Sequence, residues 1–529
     1  MTQVTVCGIE GGETVADVDL SLNERAEGAS RPVDGGVRFD ALAVAAFAVV
    51  LCAAGAARPS LWFDEAATIS AATRSVPQLW DLIGNIDAVH GLYYLGMHGW
   101  FSVFPATEFW SRFSSCLAVG GAAGGVVVLG RQFCTRNVSV CAGILFAMLP
   151  RITWAGIETR SYSWSTLAAV WLTVLLVSAI RRDRTALWLS YGALLAFSSL
   201  LNIFVVLMVA PHAVAVAMLC NRRLTRVRWA AVTTAAVLGV VPFFLWCRSQ
   251  SFQVGWISPP GLHTVAEVVL EQYFDHSVAF ATVAIAALCA PLVLRRLRPT
   301  DDDTLRLVVV AAVWVIGPTA VLLAYSAAAQ PLYYPRYLCF TTPAMALLLA
   351  VCVVAVARSR ELITAALAVF AIAATPNYVM VQRGPYAKEG MDFSQVADVI
   401  AEHSSPGDCL ILDNTTTWKP GPIRPLTAAR PAAYADLVDP GRGTPARQRN
   451  RLWDAHLGIW GVADQVRRCT VLWTVTERDP SVPSRQSGAA LQPGPRLGRA
   501  PAYRVPERMG FHIVERWQFN FAQVVKSTR

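Results

Sequence analysis

Between Leu61 and Trp110 the sequence sets Asp64 and Glu65 side by side, and Asp87 and His90 follow in an aromatic-rich stretch. A run apolar enough to cross a bilayer comes just before them, and ionisable groups at such a membrane face are expensive and usually functional. Arginines on the same face could hold a phosphate beside them. Suitable arginines are present. PRITWAGIETRSYSW carries Arg151, Glu158, Arg160 and Tyr162, and QPLYYPRYLCF carries Tyr333, Tyr334, Arg336 and Tyr337. Tyr93 follows His90, and SFQVGWISPPGLHTVAEVVLEQYFDH adds Trp256, Glu271 and Tyr273. An arginine fork matches phosphate oxygens and stays charged, and tyrosines sit well at headgroup level. The set fits a lipid-phosphate site beside a cluster of carboxylates. Plainer readings exist for each part. Asp64 and Glu65 suit the first turn of a helix, and either arginine could pair with a carboxylate such as Glu158 or snorkel to the interface.

These groups must be positioned by a chain of 529 residues that is 54% hydrophobic and 15% charged, with a mean hydropathy of +0.43. Soluble domains carry about 25% charged residues, so the composition is that of an integral membrane protein. Apolar runs lie at about 41–57, 114–130, 138–150, 163–180, 186–200, 202–220, 229–247, 278–294, 307–327, 338–357 and 361–380. They make roughly eleven spans of a mostly α, polytopic protein. Across 186–220, Asn202 marks either a tight turn or a polar residue inside one long helix.

The arginines orient this array. Arg25, Arg31 and Arg38 precede the first run, and later clusters contain Arg131 and Arg136, Arg181 and Arg182, Arg222 and Arg223, Arg295 and Arg296, and Arg358 and Arg360. With a cytoplasmic N-terminus all of them fall on one side, so the formal charge of +9 is a topology signal and nucleic acid is not an expected partner. Residues 1–37 read as a disordered cytoplasmic tail without a cleavable signal, which leaves the first run as a signal anchor. A membrane domain is expected over 38–382, with 58–113 as its first outward loop and 151–162, 248–277 and 328–337 also outside. Within the first loop, VPQLWDLIGN and GLYYLGMHGWFSVF are amphipathic and suited to roofing a cavity at the interface. Residues 262–274 suit a further surface helix.

Residues 383–529 are exported by the same bookkeeping and read as an extracytoplasmic α/β domain. Phe393, Val396, Ala397 and Ile400 form a helical stripe, CLILD and CTVLWTV are buried-strand candidates, and Trp517, Phe519 and Phe521 alternate as in a strand. Of 12 cysteines, Cys409 and Cys469 open those two buried runs. A disulfide between them suits an exported domain, with two buried thiols as the alternative. Trp418, Trp453, Trp460 and Trp473 could stack on sugars, although tryptophan is also a strong core former.

The early DE pair, the H-x-LYY-type segment, the outward ETRSY and the late YPRY resemble the C-type glycosyltransferase superfamily. The resemblance covers about residues 40–380 and is nearest to the branch of protein O-mannosyltransferases and aminoarabinose transferases, especially actinobacterial mannosyltransferase-like proteins. It implies transfer of a sugar, mannose above others, from a polyprenyl-phosphate donor to a glycan, glycolipid or protein acceptor of the cell envelope, with inversion at the anomeric carbon. It matches Asp64 to the catalytic aspartate, ahead of Glu65 and Asp87. Arg336, Arg160 and His90 would hold the donor phosphate with Tyr334 and Tyr337, leaving Glu158, Tyr162, Tyr93, Trp256 and Tyr273 for the acceptor or the cavity wall. The proline pair expected after His90 is replaced here by Gly91 and Leu92. No cofactor is required, though Asp64, Glu65 and Asp87 could form a site for a divalent cation. A lipid or glycan transporter would show internal repeats and helices broken at mid-membrane, and a glycan-binding scaffold would tolerate loss of Asp64.

Overall fold

A computed structural model describes residues 35–293, 301–413 and 422–529. The N-terminal tail up to residue 34, Arg295, Arg296 and Trp418 lie outside the described residues. Among the described residues seven helices are long and apolar enough to cross a membrane, and four shorter apolar helices accompany them. In chain order the helices that matter below are α1 (Gly35–Ala53), α2 (Phe63–Ala72), α3 (Val76–Asn85), α4 (Gly91–Phe101), α5 (Glu108–Arg131), α6 (Arg136–Met148), α7 (Tyr162–Arg182), α8 (Thr185–Leu201), α9 (Val209–Leu219), α10 (Arg223–Ser249), α11 (Val278–Val293), α12 (Asp302–Ala328), α13 (Thr342–Val356), α14 (Arg360–Pro376) and α15 (Phe393–His403).

In lipid, apolar side chains gain little by meeting one another, so close backbone approach drives helix packing. The small stripe of α5 provides it. A side chain at Gly124 would come within 3.1 Å of the Ala41 carbonyl of α1, and one at Gly125 within 2.6 Å of Val170 on α7. Adjacent positions on a helix face different neighbours, so α5 is clasped on two sides and becomes the buried axis of the bundle.

Asn202 ends α8 in an extended conformation, and its side chain accepts from the Phe204 N–H at 3.1 Å. The region is therefore two helical pieces, with a 3₁₀ turn over Ile203–Met208 between α8 and α9. In the first loop α3 buries Leu79, Leu82 and Ile83 while Val76 and Trp80 stay exposed. Further along, Leu262–Ala266 is helical and passes into a π turn over Glu267–Glu271.

The C-terminal region forms a five-stranded sheet of β1 (Cys409–Leu412), β2 (Val471–Glu477), β3 (Arg485–Leu491), β4 (His512–Gln518) and β5 (Ala522–Thr528), in the order β1-β2-β5-β4-β3. Only β1 and β2 run parallel. The alternation of Trp517, Phe519 and Phe521 is corrected, because β4 ends at Gln518 and the Phe519 N–H closes a turn onto the Ala522 carbonyl at 2.9 Å. A disulfide joins Cys409 to Cys469.

The sheet and α15 share a core with the first loop. Leu61, Trp62, Ala66 and Ile69 pack with Phe393, Val396, Ile400, Leu412, Trp473 and Val524. Trp473 is fully buried there and donates to Asp408 at 2.9 Å, so it is a core residue and does not face a sugar. Trp460 is exposed. The helix that bears Asp64 and Glu65 is thus wedged between the membrane bundle and the sheet.

Candidate active site

The α2 helix begins after Trp62, so Asp64 and Glu65 both sit in its first turn, where the helix dipole favours negative charge. Consecutive helical residues point about 100° apart, and the two acids part company. Asp64 faces a cavity of about 750 Å³ lined also by Asp87, His90, Arg160, Tyr162, Trp256, Arg336 and Tyr337. Glu65 turns into the protein and makes a two-point contact with Arg112 of α5, at 2.8 and 2.6 Å, with both side chains fully buried. Arg112 also donates to the carbonyls of Ala56, Pro59 and Ser60, and Glu65 accepts from the Thr159 hydroxyl. The expectation of a catalytic Glu65 is corrected, since every polar atom of this pair is committed to shaping the chain between α1 and α2.

Asp64 is held by two cations from distant parts of the sequence. Arg160 lies 3.2 Å from Oδ1 and Arg336 3.4 Å from Oδ2. Burial alone would raise the Asp64 carboxyl, but Arg160 and Arg336 outweigh it and hold it below its ordinary value. The carboxylate is therefore ionised in the resting site. Arg336 stacks on Trp62 at 5.2 Å and on Tyr334 at 4.6 Å, and its Nε atom is buried without a partner. The Arg160 Nε atom is likewise unpartnered. Among the described residues each guanidinium thus keeps one N–H beyond its contact with Asp64 that could meet an anion.

Behind Arg160 lies a second carboxylate. Asp87 accepts from the Tyr94 hydroxyl at 2.7 Å, and that hydroxyl accepts from Arg160 at 2.8 Å. With its amide nitrogen turned towards Asp87, Gln253 donates to the other Asp87 oxygen. Burial pushes the Asp87 carboxyl up, against Arg160 and Tyr94. Asp87 thus orients Arg160 through Tyr94, and its backbone takes a left-handed conformation (φ 61°) to do so. The tyrosine expected here was Tyr93. Its hydroxyl is buried beside Ser115 and it does not line the cavity. Burial drives His90 down to about 3, with Arg160 acting in the same direction. His90 lines the cavity beside Arg160 and Arg336, where burial suits it to a hydrogen bond more than to a charge.

Glu158 and Tyr273 are also corrected, because neither reaches the cavity. Glu158 pairs with Lys388 at 2.6 Å and accepts from the Trp62 indole at 2.8 Å. Tyr273 contacts the Thr341 hydroxyl at 3.1 Å. Tyr162 and Tyr337 stack with centroids 6.4 Å apart, and Phe204 stacks on Tyr337 at 5.5 Å. Trp256 lines the outer rim edge-on to Tyr334 at 5.0 Å. Away from the charges, Val206, Leu207, Phe244, Val321 and Leu322 make one side of the cavity apolar. Among the described residues no three carboxylate, imidazole or thiol side chains come together as metal ligands.

No protein-family model and no curated protein matches this chain. A solved structure does. ArnT from Cupriavidus metallidurans, bound to undecaprenyl phosphate, aligns over 91% of this chain and 97% of its own with a TM-score of 0.54 at 12% identity. The chain has the ArnT fold. The apo state of the same ArnT aligns equally well. The Archaeoglobus fulgidus oligosaccharyltransferase is more distant, with a TM-score of 0.42 at 11% identity over 82% of this chain and 67% of its own.

Within its ArnT fold the chain builds the site with residues that no local motif marks. Trp62, Arg112 and Lys388 have ordinary surroundings in sequence, and Lys388 is 230 positions from the carboxylate it meets. Tyr94 was distinguishable from Tyr93 only by the rotation of α4. Arg151, conspicuous as an arginine outside the expected cytoplasmic loops, pairs with Asp275 at 3.0 Å and carries structure.

Proposed function

We propose that this protein is a membrane glycosyltransferase that moves a sugar from a polyprenyl-phosphate donor to a cell-envelope acceptor on the extracytoplasmic side. Asp64, bracketed by Arg160 and Arg336 where an apolar chamber meets the C-terminal domain, is the observation that carries this reading. The apolar wall suits a prenyl chain, and the ArnT of the same fold is bound to undecaprenyl phosphate. The disulfide and the one-sided arginines support an exported C-terminal domain. Mannose is the sugar the sequence resemblance favours.

In this mechanism the donor phosphate enters between Arg160 and Arg336 and draws both guanidiniums from Asp64. Released from its cations in a buried site, the carboxylate becomes a stronger base. It takes the proton of an acceptor hydroxyl as that oxygen attacks the anomeric carbon. The bond from that carbon to the phosphate oxygen breaks, the electron pair leaves with polyprenyl phosphate, and the two arginines stabilise the charge. Direct displacement inverts the anomeric centre. A divalent cation is not needed for this scheme.

The test incubates purified full-length protein with radiolabelled polyprenyl-phosphate sugars and membrane acceptors, with and without EDTA. One sugar should be transferred with or without EDTA, and Asp64→Asn should lower the rate about 10²-fold or more. Full transfer by Asp64→Asn would remove Asp64 as the base. No transfer of any sugar by folded wild type would remove the transferase reading, and loss with EDTA would add a metal.

A further inference from the structure

A loop of the C-terminal domain, Thr444–His456, reaches across to the first outward loop and supplies Leu452 and Trp453 to the cavity that holds Asp64. Trp453 meets Phe63, the residue before Asp64, edge-on at 5.2 Å. Three successive carbonyls fasten it. Asn85 donates to Asn450 at 3.1 Å, Arg74 to Arg451, and Ser70 to Leu452 at 2.6 Å. Asn450 adopts a left-handed φ of 49° to present them. The base of the loop is closed by the Gly443 N–H on Ala455 and by Arg442 paired with Asp454 at 2.6 Å.

The fastened segment reads ARQRNRLW, and Arg447, Arg449 and Arg451 are all exposed. Among the described residues Arg449 and Arg451 form no ion pair, and Arg447 reaches only the Thr73 carbonyl. Arg74, 1% exposed, adds a fourth positive charge beneath them. Like charges this close repel, and such a run is ordinarily loose and solvated. Here it is pinned at the mouth of a cavity into which its own next residues project, and the nearby carboxylate, Asp454, is paired with Arg442 at the base of the loop. An anion supplied by a binding partner would relieve that repulsion, and an arginine fork suits phosphate or carboxylate equally.

We infer that the acceptor is a polyanionic glycan or polyol phosphate, recognised by Arg449 and Arg451 outside the cavity and seated by Trp453 and Phe63 beside Asp64. This rests on the transferase reading for what happens to the acceptor, but the binding itself can be measured without any transfer. Anionic groups along the acceptor hold it on the loop, and a sugar or polyol unit lies over the Trp453 ring with its hydroxyl towards the carboxylate.

Full-length protein in nanodiscs of neutral lipid is titrated with three probes: a glycerol-phosphate oligomer, an oligogalacturonate and a neutral oligomannoside. At least one anionic probe should bind about tenfold or more tightly than the neutral one and weaken steeply with salt. The Arg449→Glu/Arg451→Glu variant should lose that preference by about tenfold or more while binding undecaprenyl phosphate as wild type does, which shows that the cavity is intact. Trp453→Ala should weaken the same probe, and Trp453→Phe should restore most of it. Equal binding of neutral and anionic probes, or charge reversal without effect, would overturn the inference. So would preferential capture of phosphatidylglycerol vesicles over both anionic oligomers, which would make the loop a lipid-surface contact. If the anionic probes bind as expected but no sugar is ever transferred, the transferase reading fails and the binding site stands.

Discussion

Arg160 lies 3.2 Å from an oxygen of Asp64, and this contact makes the two residues competitors for later partners as well as neighbours. In the proposed mechanism a donor phosphate takes the arginine from the carboxylate, so resting stability of the pair would oppose donor binding.

Replacing Asp64 by Asn should therefore separate binding from chemistry. Undecaprenyl phosphate should bind the Asp64→Asn protein more tightly than wild type, by a few-fold or more, while transfer is lost. Isothermal titration in nanodiscs checks the first effect, and weaker binding would show that the aspartate helps to hold the phosphate.

Acid inactivation should differ between free and occupied enzyme. In the resting site Asp64 is held below its ordinary value by Arg160 and Arg336, so it remains a base until the pH falls through that lowered value. Once the phosphate occupies the arginines, burial dominates and the carboxyl rises. The acid limb of kcat should lie at higher pH than that of kcat/KM, since the first reports the complex and the second the free enzyme. Coincident limbs would mean that the arginines stay with Asp64 throughout.

Glu65 should behave as a structural residue although it adjoins the base. Breaking a buried ion pair by removing one partner costs about 3–5 kcal/mol, and Glu65→Gln leaves the Arg112 charge unpaired. Denaturation in detergent should show a loss of that order. Turnover at low temperature, where the variant stays folded, should remain within about tenfold of wild type. A stable but inactive Glu65→Gln protein would restore the acid to catalysis.

The Lys388–Glu158 pair invites a double substitution. Burial lowers Lys388 and raises Glu158, each opposed by its partner. Lys388→Met should destabilise by about 3–5 kcal/mol, and adding Glu158→Gln should recover part of it. Because Glu158 holds the Trp62 indole that lies beneath Arg336, the single variant should also raise the donor KM. No change in that KM would mean that Arg336 keeps its place without this support.

Sequence alone made much of this site legible, for a physical reason. Arginines placed outside the expected cytoplasmic loops break the usual charge bias, so Arg160 and Arg336 stood out, as did Asp64 after a span. Apolar runs likewise marked the described helices of the bundle, although Asn202 could be read either as a turn or as a polar residue inside one long helix. The choice between Asp64 and Glu65, or between Tyr93 and Tyr94, depends on helix rotation, which neighbouring residues on a short helix do not reveal. β3 is polar and mostly exposed, so it carries no alternating signal. Trp62 and Lys388 acquire their meaning from partners far away in the chain.

Arg383 lies seven residues beyond the end of α14 and inserts into a ring of carbonyls from Cys52, Ala54 and Thr153. Lys388 enters just behind it. Both contacts are therefore made by residues synthesised after every apolar helix among the described residues. While the chain is being synthesised, α2 lacks the partners that set its angle, and the nascent protein should be unable to consume donor lipid until the sheet has begun to form. A chain released after residue 382 should insert all the apolar helices and bind undecaprenyl phosphate poorly, which a pull-down of such a truncation would measure.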